Sequence, residues 1–300
     1  MTPDGGYGGY AELPFDPTAP LTPTGNLRRR QIVSRFAEYA ATGAAFAAVA
    51  VLAIVVWAVV SHGADAISLD FFLKGEPEGI GPALLGTAEI VAVATAIAMP
   101  ISVLIALFTS EFGSGKLVAA IKLSLDLMNG LPSIVIGLFV FGLLVVGHEQ
   151  SGFAASVGLA IIMLPLIARG TQEVLELVPK NLREAADALG VSRWRTVLTV
   201  ILPSALGGIV TSTVLAVARA AGETAPLILT DSVWDGSTSQ FNPSQAIPNI
   251  PVTIYKLSEE ANPEGFTRAW GAGLALLSFI MFASLTARYL LARSKRKLGG

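Results

Sequence analysis

The sequence predicts an all-α membrane protein of six transmembrane helices with both termini in the cytoplasm, and three observations predict it. The composition is 53% hydrophobic and only 14% charged over 300 residues, with a mean hydropathy of +0.64, too apolar for a water-soluble chain of that length. Six stretches are long enough to supply the roughly 20 helical residues that a hydrocarbon core requires. The Lys and Arg residues fall almost wholly on one side once those stretches are threaded through a bilayer.

The same composition excludes several chemistries. There is no cysteine, hence no disulfide, thiolate metal site or thiol nucleophile, and the two histidines, His62 and His148, are far apart. No metal site and no catalytic residue is expected. A net charge of −2 gives no basic excess for nucleic acid.

Along the chain, residues 1–36 open on MTPDGGYGGYAELPFDPTAPLTPTG, rich in Gly, Pro and Thr and without an apolar leader or cleavage site. They are expected to form an uncleaved, disordered cytoplasmic tail. The membrane domain covers 37–293, with spans at about 40–61, 82–108, 118–147, 153–169, 201–229 and 269–291, followed by a basic tail at 294–300. The fourth span is short and is expected to end near Pro165. The third and fifth are long and contain Gly and Pro, so breaks are expected at Pro132 and at Gly222 to Pro226. With the N-terminus inside, the arginines at 28–30, Lys116, Lys122, Arg169, Arg183 and Arg195 are cytoplasmic, while Lys74, Lys256 and Arg268 lie outside. An outer loop, 230–268, mixes Pro, Asn and Ser with apolar residues and reads either as a connector or as a docking surface across the outer mouth. No internal repeat is visible.

The cytoplasmic loop at 171–203 contains PKNLREAADALGVSRWRTVLTVILP. Pro179 is placed to start a helix, and Leu182, Ala185, Ala186 and Leu189 share one face of it. Gly190 can take the left-handed cap, and Ser192 can cap the helix that follows. Such a helix suits either a groove in another protein or the headgroup surface of the membrane. GSGKL at 113–117 is a flexible turn and not a phosphate loop, because Ser110 stands where the first Gly is needed and Leu117 where Ser or Thr is needed.

Within the fifth span, AVARAAGETAPLI sets Arg219 about 24 Å from Pro203 along a helix, at 1.5 Å per residue, well inside the membrane. An arginine there costs at least about 2.5 kcal/mol. Glu223, one turn on, can neutralise it, which is the structural reading. The functional reading adds Gly222 and Pro226, which permit a break, and the hydroxyl of Thr224. A planar guanidinium beside freed backbone N–H groups suits an oxyanion path. Glu89 in the second span is a possible partner for Arg219, and Asn129 and Ser133 near the Pro132 break suit helix packing as well as substrate contact.

Two motifs carry a resemblance. Glu184, Ala185 and Ala186, then Gly190 three residues later, then nine residues and Val200, Ile201, Leu202 and Pro203, resemble the EAA loop of ABC importer permeases, with Val200 in place of the usual Ile. The resemblance implies that this loop docks into a cytoplasmic ATPase. RAAGETAPL, with GTAEIVAVATAIAMPISVLIAL (86–107), LPSIVIG (131–137), LIARGTQE (166–173) and IPVTIY (250–255), resembles phosphate ABC importer permeases of the PstA type over about residues 67–292.

That family implies a type I (MetI-like) bundle in a bacterial inner membrane. It further implies a PstC-type homologous permease, two PstB-type ATPases that use ATP and Mg²⁺, and a PstS-type phosphate-binding protein as partners, with no cofactor on this chain. It places Arg169 on the phosphate path with Arg219, although a positive-inside anchor explains Arg169 equally. An ionised Glu223 can accept from the O–H of a protonated phosphate and repel sulfate, which gives selectivity a chemical basis. Rival readings are a permease for sulfate or molybdate, which has no need of GETAPL, and an ATP-independent carrier or membrane scaffold.

Overall fold

The computed structural model describes residues 27–232, 236–260 and 262–298, and every regular element among them is helical. The chain divides after Val56 into two units. The first is described by its part of helix α1 (Leu27–Gly63), whose side chains are uncovered from Arg29 to Val55. Charged up to Glu38 and apolar on all sides beyond Tyr39, it has from there the surface of a helix whose solvent is lipid. The expected tail boundary at residue 36 falls inside α1, because no Gly or Pro interrupts the run from Leu27 to Thr42. The rest of the expected tail, residues 1–26, lies outside the described residues.

The second unit begins at Trp57. His62 stacks on Trp270 of helix α12 (Pro263–Leu298), with ring centroids 5.1 Å apart. A one-turn helix α2 (Leu69–Leu73) follows, capped by Ser68 accepting from the Phe71 N–H at 3.1 Å. Helix α3 (Gly81–Leu107) runs into a π-helical turn, Phe108–Phe112.

The centre of the unit is α3 against helix α6 (Gly152–Glu176). Ala94 and Ala98 of one and Ala155 and Ala160 of the other are all buried. Small side chains let two backbones approach, which is what packs helices where lipid removes the hydrophobic drive. The expectation that this span ends near Pro165 is wrong: α6 continues eleven residues further, to Glu176. Pro165 is buried inside the bundle, and the Ser102 hydroxyl donates to the neighbouring Leu164 carbonyl at 2.9 Å, so α3 braces the helix where proline weakens it.

The third span is two helices, α4 (Gly115–Gly130) and α5 (Ser133–Val140), bent by 101° at Leu131 and Pro132, where the sequence places its break. GSGKL is a turn into α4 with Gly115 at φ +72°. Helix α7 (Lys180–Ala188) and helix α8 (Arg193–Thr196) lie in the loop at 171–203, with Gly190 at φ +70° between them. Gly190 thus takes the left-handed conformation its position predicts, whereas Ser192 sits at the N-cap of α8 with no side-chain bond to the backbone. Through a further π-helical turn, Val197–Ile201, the chain enters helix α9 (Leu202–Ala220), then helix α10 (Ala225–Thr230).

The loop at 230–268, expected to be a connector or a docking surface, is packed on the bundle where it is described. Helix α11 (Ile250–Glu259) packs on α12, and the strand of chain before it is pressed onto α3. A Cβ on Gly86 would meet the Pro248 carbonyl at 2.0 Å, and the Ile250 N–H donates to Thr87 Oγ1 at 2.9 Å. Only glycine admits that approach.

Candidate functional site at two broken spans

The site is built at the break in the fifth span, against the helix that follows the break in the third. Helix α9 stops at Ala220, residues 221–224 form a turn, and α10 restarts at Ala225 with Pro226 in its first turn. Gly222 N–H bonds to the Arg219 carbonyl and Glu223 N–H to the Ala220 carbonyl, both at 3.1 Å, so the last turn of α9 tightens before it breaks. Opposite stands α5: a Cβ on Gly137 would lie 2.7 Å from the Pro226 Cα. Helix α5, which begins after the Pro132 break, therefore packs through Gly137 on the helix that restarts after Gly222. GETAP and PSIVIG are the two halves of this joint.

Arg219 projects from the last turn of α9, and its Nε is 3.3 Å from Glu223 Oε1. The pair is asymmetric. The arginine side chain is 53% exposed and the glutamate 16%, so the carboxylate is held in the protein while much of the guanidinium faces away from it. Its hydrogen bond uses Nε, leaving the outer edge of the guanidinium open. Thr224, half-buried, occupies the N-cap of α10 without a side-chain cap bond. At six residues α10 is too short for a useful dipole, so the positive charge of the site is that of Arg219. Glu89 is not joined to Arg219 by any ion pair among the described residues, contrary to the partnership considered from sequence, and its Oε2 is buried with no hydrogen-bond partner.

The far end of α10 is fixed by groups that sequence reasoning missed. Its terminal carbonyls, at Leu229, Thr230 and Asp231, accept from the Gln150 side chain, the Ser151 N–H and the Asn249 side chain at 3.2, 3.0 and 3.2 Å. Fully buried Asp231 accepts from the Ile247 N–H at 2.7 Å. Burial pushes its carboxyl up to about 7, against the Ile247 N–H and the Asn249 amide, which favour the charged form. An Asp directly after an apolar span was the available signal, but its partners are 16 and 18 residues away. Across the joint, α10 is anchored at one end and broken at the other.

Arg169 lies elsewhere. It sits two turns before the end of α6, bonded to the Lys122 carbonyl at 2.8 Å, to Asp126 at 2.5 Å and to Gln172 at 3.0 Å. Those contacts tie α6 to α4. Asn129 is exposed and Ser133 half-buried at the α4–α5 bend. In the loop at 171–203 Ala186 is buried, whereas Glu184, Ala185, Leu182 and Leu189 are uncovered, Leu189 to 82%. Most of the apolar face of α7 has no partner among the described residues.

Residues 93–296 match the family model described as the binding-protein-dependent transport system inner membrane component. The chain belongs to that family. It is therefore an inner-membrane component of a binding-protein-dependent transport system, crossing the membrane several times. Among curated members it is 35% identical to phosphate transport system permease protein PstA 1 of Mycobacterium tuberculosis, over 80% of this chain and 82% of that one. It is 34% identical to the PstA permease of Yersinia pestis, over 80% and 84%. Solved structures share the fold: a chain of a bacterial alginate ABC transporter (TM-score 0.65, 16% identity, covering 88% of this chain and 96% of that one) and one of the MetNI methionine ABC transporter (0.56, 19%, 72% and 94%). Among the described residues five helices are long and apolar enough to cross a membrane, six if the bent α4–α5 pair is one span, and the fold is that of ABC importer permeases.

Proposed function

We propose that this chain is one of two permease subunits of an ATP-driven importer for inorganic phosphate, and that Arg219 meets the anion on the path between them. The observation that carries the reading is the half-uncovered guanidinium of Arg219 at the joint of two broken spans, beside a sheltered Glu223. A charge so placed is costly in lipid and rewarding in a polar passage shared with a second chain. The relatives named for phosphate transport supply the substrate.

In the mechanism, both termini and the loop at 171–203 face the cytoplasm. Glu184, Ala185, Ala186 and Gly190 present α7 to an ATPase, and a PstC-type permease completes the path. Two PstB-type ATPases hydrolyse Mg-ATP, and a PstS-type protein delivers phosphate from outside. ATP-driven closure of the ATPases moves α7 and rocks the bundles, exposing the joint outward, and hydrolysis returns it to the inside. The guanidinium neutralises the incoming phosphate, Thr224 offers a hydroxyl, and Glu223 accepts from the phosphate O–H that sulfate lacks at neutral pH. The chain itself makes and breaks no covalent bond.

The test is labelled phosphate uptake in cells carrying all partners, comparing wild type with Arg219→Ala and Arg219→Lys at matched membrane levels, with excess sulfate as competitor. Uptake should fall about 100-fold in Arg219→Ala, the scale of a lost charged contact to a desolvated oxyanion. Normal uptake in that variant returns the arginine to a structural role, and competition by sulfate in wild type points to another oxyanion.

A further inference from the structure

Helix α7 is tied to the end of α3 by an ion pair. Arg183, on the face of α7 opposite its uncovered apolar residues, forms a two-pronged ion pair with Glu111, Nη2 to Oε1 at 2.7 Å and Nε to Oε2 at 3.3 Å. The same guanidinium donates to the Leu175 carbonyl at 2.9 Å and the Val178 carbonyl at 2.7 Å, at the end of α6. Four of its five donors are thus committed. The Glu111 side chain is only 4% exposed, so this is an ion pair largely out of water.

Glu111 belongs to the π-helical turn Phe108–Phe112 at the end of α3, and that turn receives the other half of the loop as well. Trp194 of α8 packs on Phe112 with centroids 5.2 Å apart, and the Arg193 guanidinium lies 6.0 Å from the centre of the same ring. Two residues before Glu111, Thr109 accepts from the Gln172 amide at 2.7 Å, and Gln172 in turn accepts from Arg169. One five-residue turn therefore collects α6, α7 and α8. Widened turns of this kind recur at functional sites because their hydrogen bonding is easily re-set.

We infer that Arg183 and Glu111 are positioning residues for coupling: they lock the ATPase-docking helix to the end of α3, so that displacement of α7 moves the bundle and not merely the loop. A bidentate pair between a buried carboxylate and a planar guanidinium has one geometry, which makes it a stiff link, whereas the single-residue Gly190 hinge beyond it is soft. Neither residue touches the substrate, and the EAA positions that face the ATPase are different ones. The inference rests on the ATP-driven reading above.

The experiment uses the complete complex in proteoliposomes. Glu111→Gln, Arg183→Gln and the double variant are compared with wild type for phosphate moved per ATP hydrolysed. In parallel, spin labels on Asn181→Cys and Lys116→Cys, both exposed and placed in a chain without native cysteine, report the distance from α7 to the start of α4. The single variants should still co-purify with the ATPases and hydrolyse ATP. Phosphate moved per ATP should fall about tenfold, on the scale of a coupling free energy losing one charge-assisted contact, and the label distance should broaden. The double variant should lose no more than the worse single one, because all three break one link. An unchanged ratio in an assembled Glu111→Gln complex, an unbroadened distance, or additive losses in the double variant each overturn the inference. A wild-type complex that moves no phosphate counts against the substrate alone, and the label distances then decide whether the lock exists.

Discussion

The Arg219 Nε lies 3.3 Å from Glu223 Oε1, yet the two side chains differ threefold in exposure, at 53% and 16%. A rivet between helices would bury both charges together. This pair hides its acceptor and leaves its donor fork accessible, the arrangement expected of a site that exchanges one anion for another.

Glu223→Gln therefore tests selectivity apart from binding. Glutamine keeps an acceptor oxygen but removes the charge that repels a fully ionised oxyanion. Sulfate should begin to compete with phosphate in uptake, while wild type ignores it. A phosphate-to-sulfate ratio equal to that of wild type would show that the carboxylate does not discriminate.

The joint between spans has no slack at Gly137. Any side chain there meets Pro226, with a Cβ 2.7 Å from the proline Cα. Gly137→Val should cost about 1 to 3 kcal/mol of overpacking and shift the α10 backbone, reducing both the thermal midpoint of the purified complex and its uptake. Gly142→Ala, where nothing lies within 4 Å of an added Cβ, is the matched control and should change neither.

Gly190 adopts φ +70° with open space around it, so its requirement is conformational and not steric. Gly190→Ala should cost about 1 kcal/mol in the left-handed region and misdirect α7. Recovery of the ATPase in co-purification measures the effect. Recovery equal to wild type would mean that the turn does not aim the helix.

Asp231 makes the cap at the end of α10 sensitive to pH. Its carboxyl is raised from an ordinary value of 3.8 to about 7, so the folded cap holds a proton that the opened cap releases. Stability is then greatest at acid pH and falls as pH rises from about 4 to about 7, by about 1.4 kcal/mol for each unit of difference. Protection of the Ile247 amide against hydrogen exchange, corrected for intrinsic rates, should decline across that window and be flat in Asp231→Asn. A wild-type profile as flat as that of the variant would place the proton elsewhere.

Much of the fold was legible in the sequence because lipid imposes a one-dimensional rule: an apolar run of sufficient length must become a helix, since its backbone has no other partner. That rule gave the spans, and Pro132, Gly222, Pro226 and Gly190 marked breaks because their backbone limits are intrinsic to the residue. It missed the length of α6 beyond Pro165, where the outcome depended on bracing from α3, and the helix over residues 27–36, which was grouped with the Gly-, Pro- and Thr-rich stretch before it. The motif around Arg219 and Glu223 was local, hence visible. What only the tertiary structure decided are the relationships between distant segments: Gly137 against Pro226, Asp231 beneath Ile247 and Asn249, and Arg183 locked to Glu111 across 72 positions of chain. Hydropathy and local spacing carry no record of which helix ends meet, because that is set by the three-dimensional packing of small residues and the pairing of buried charges.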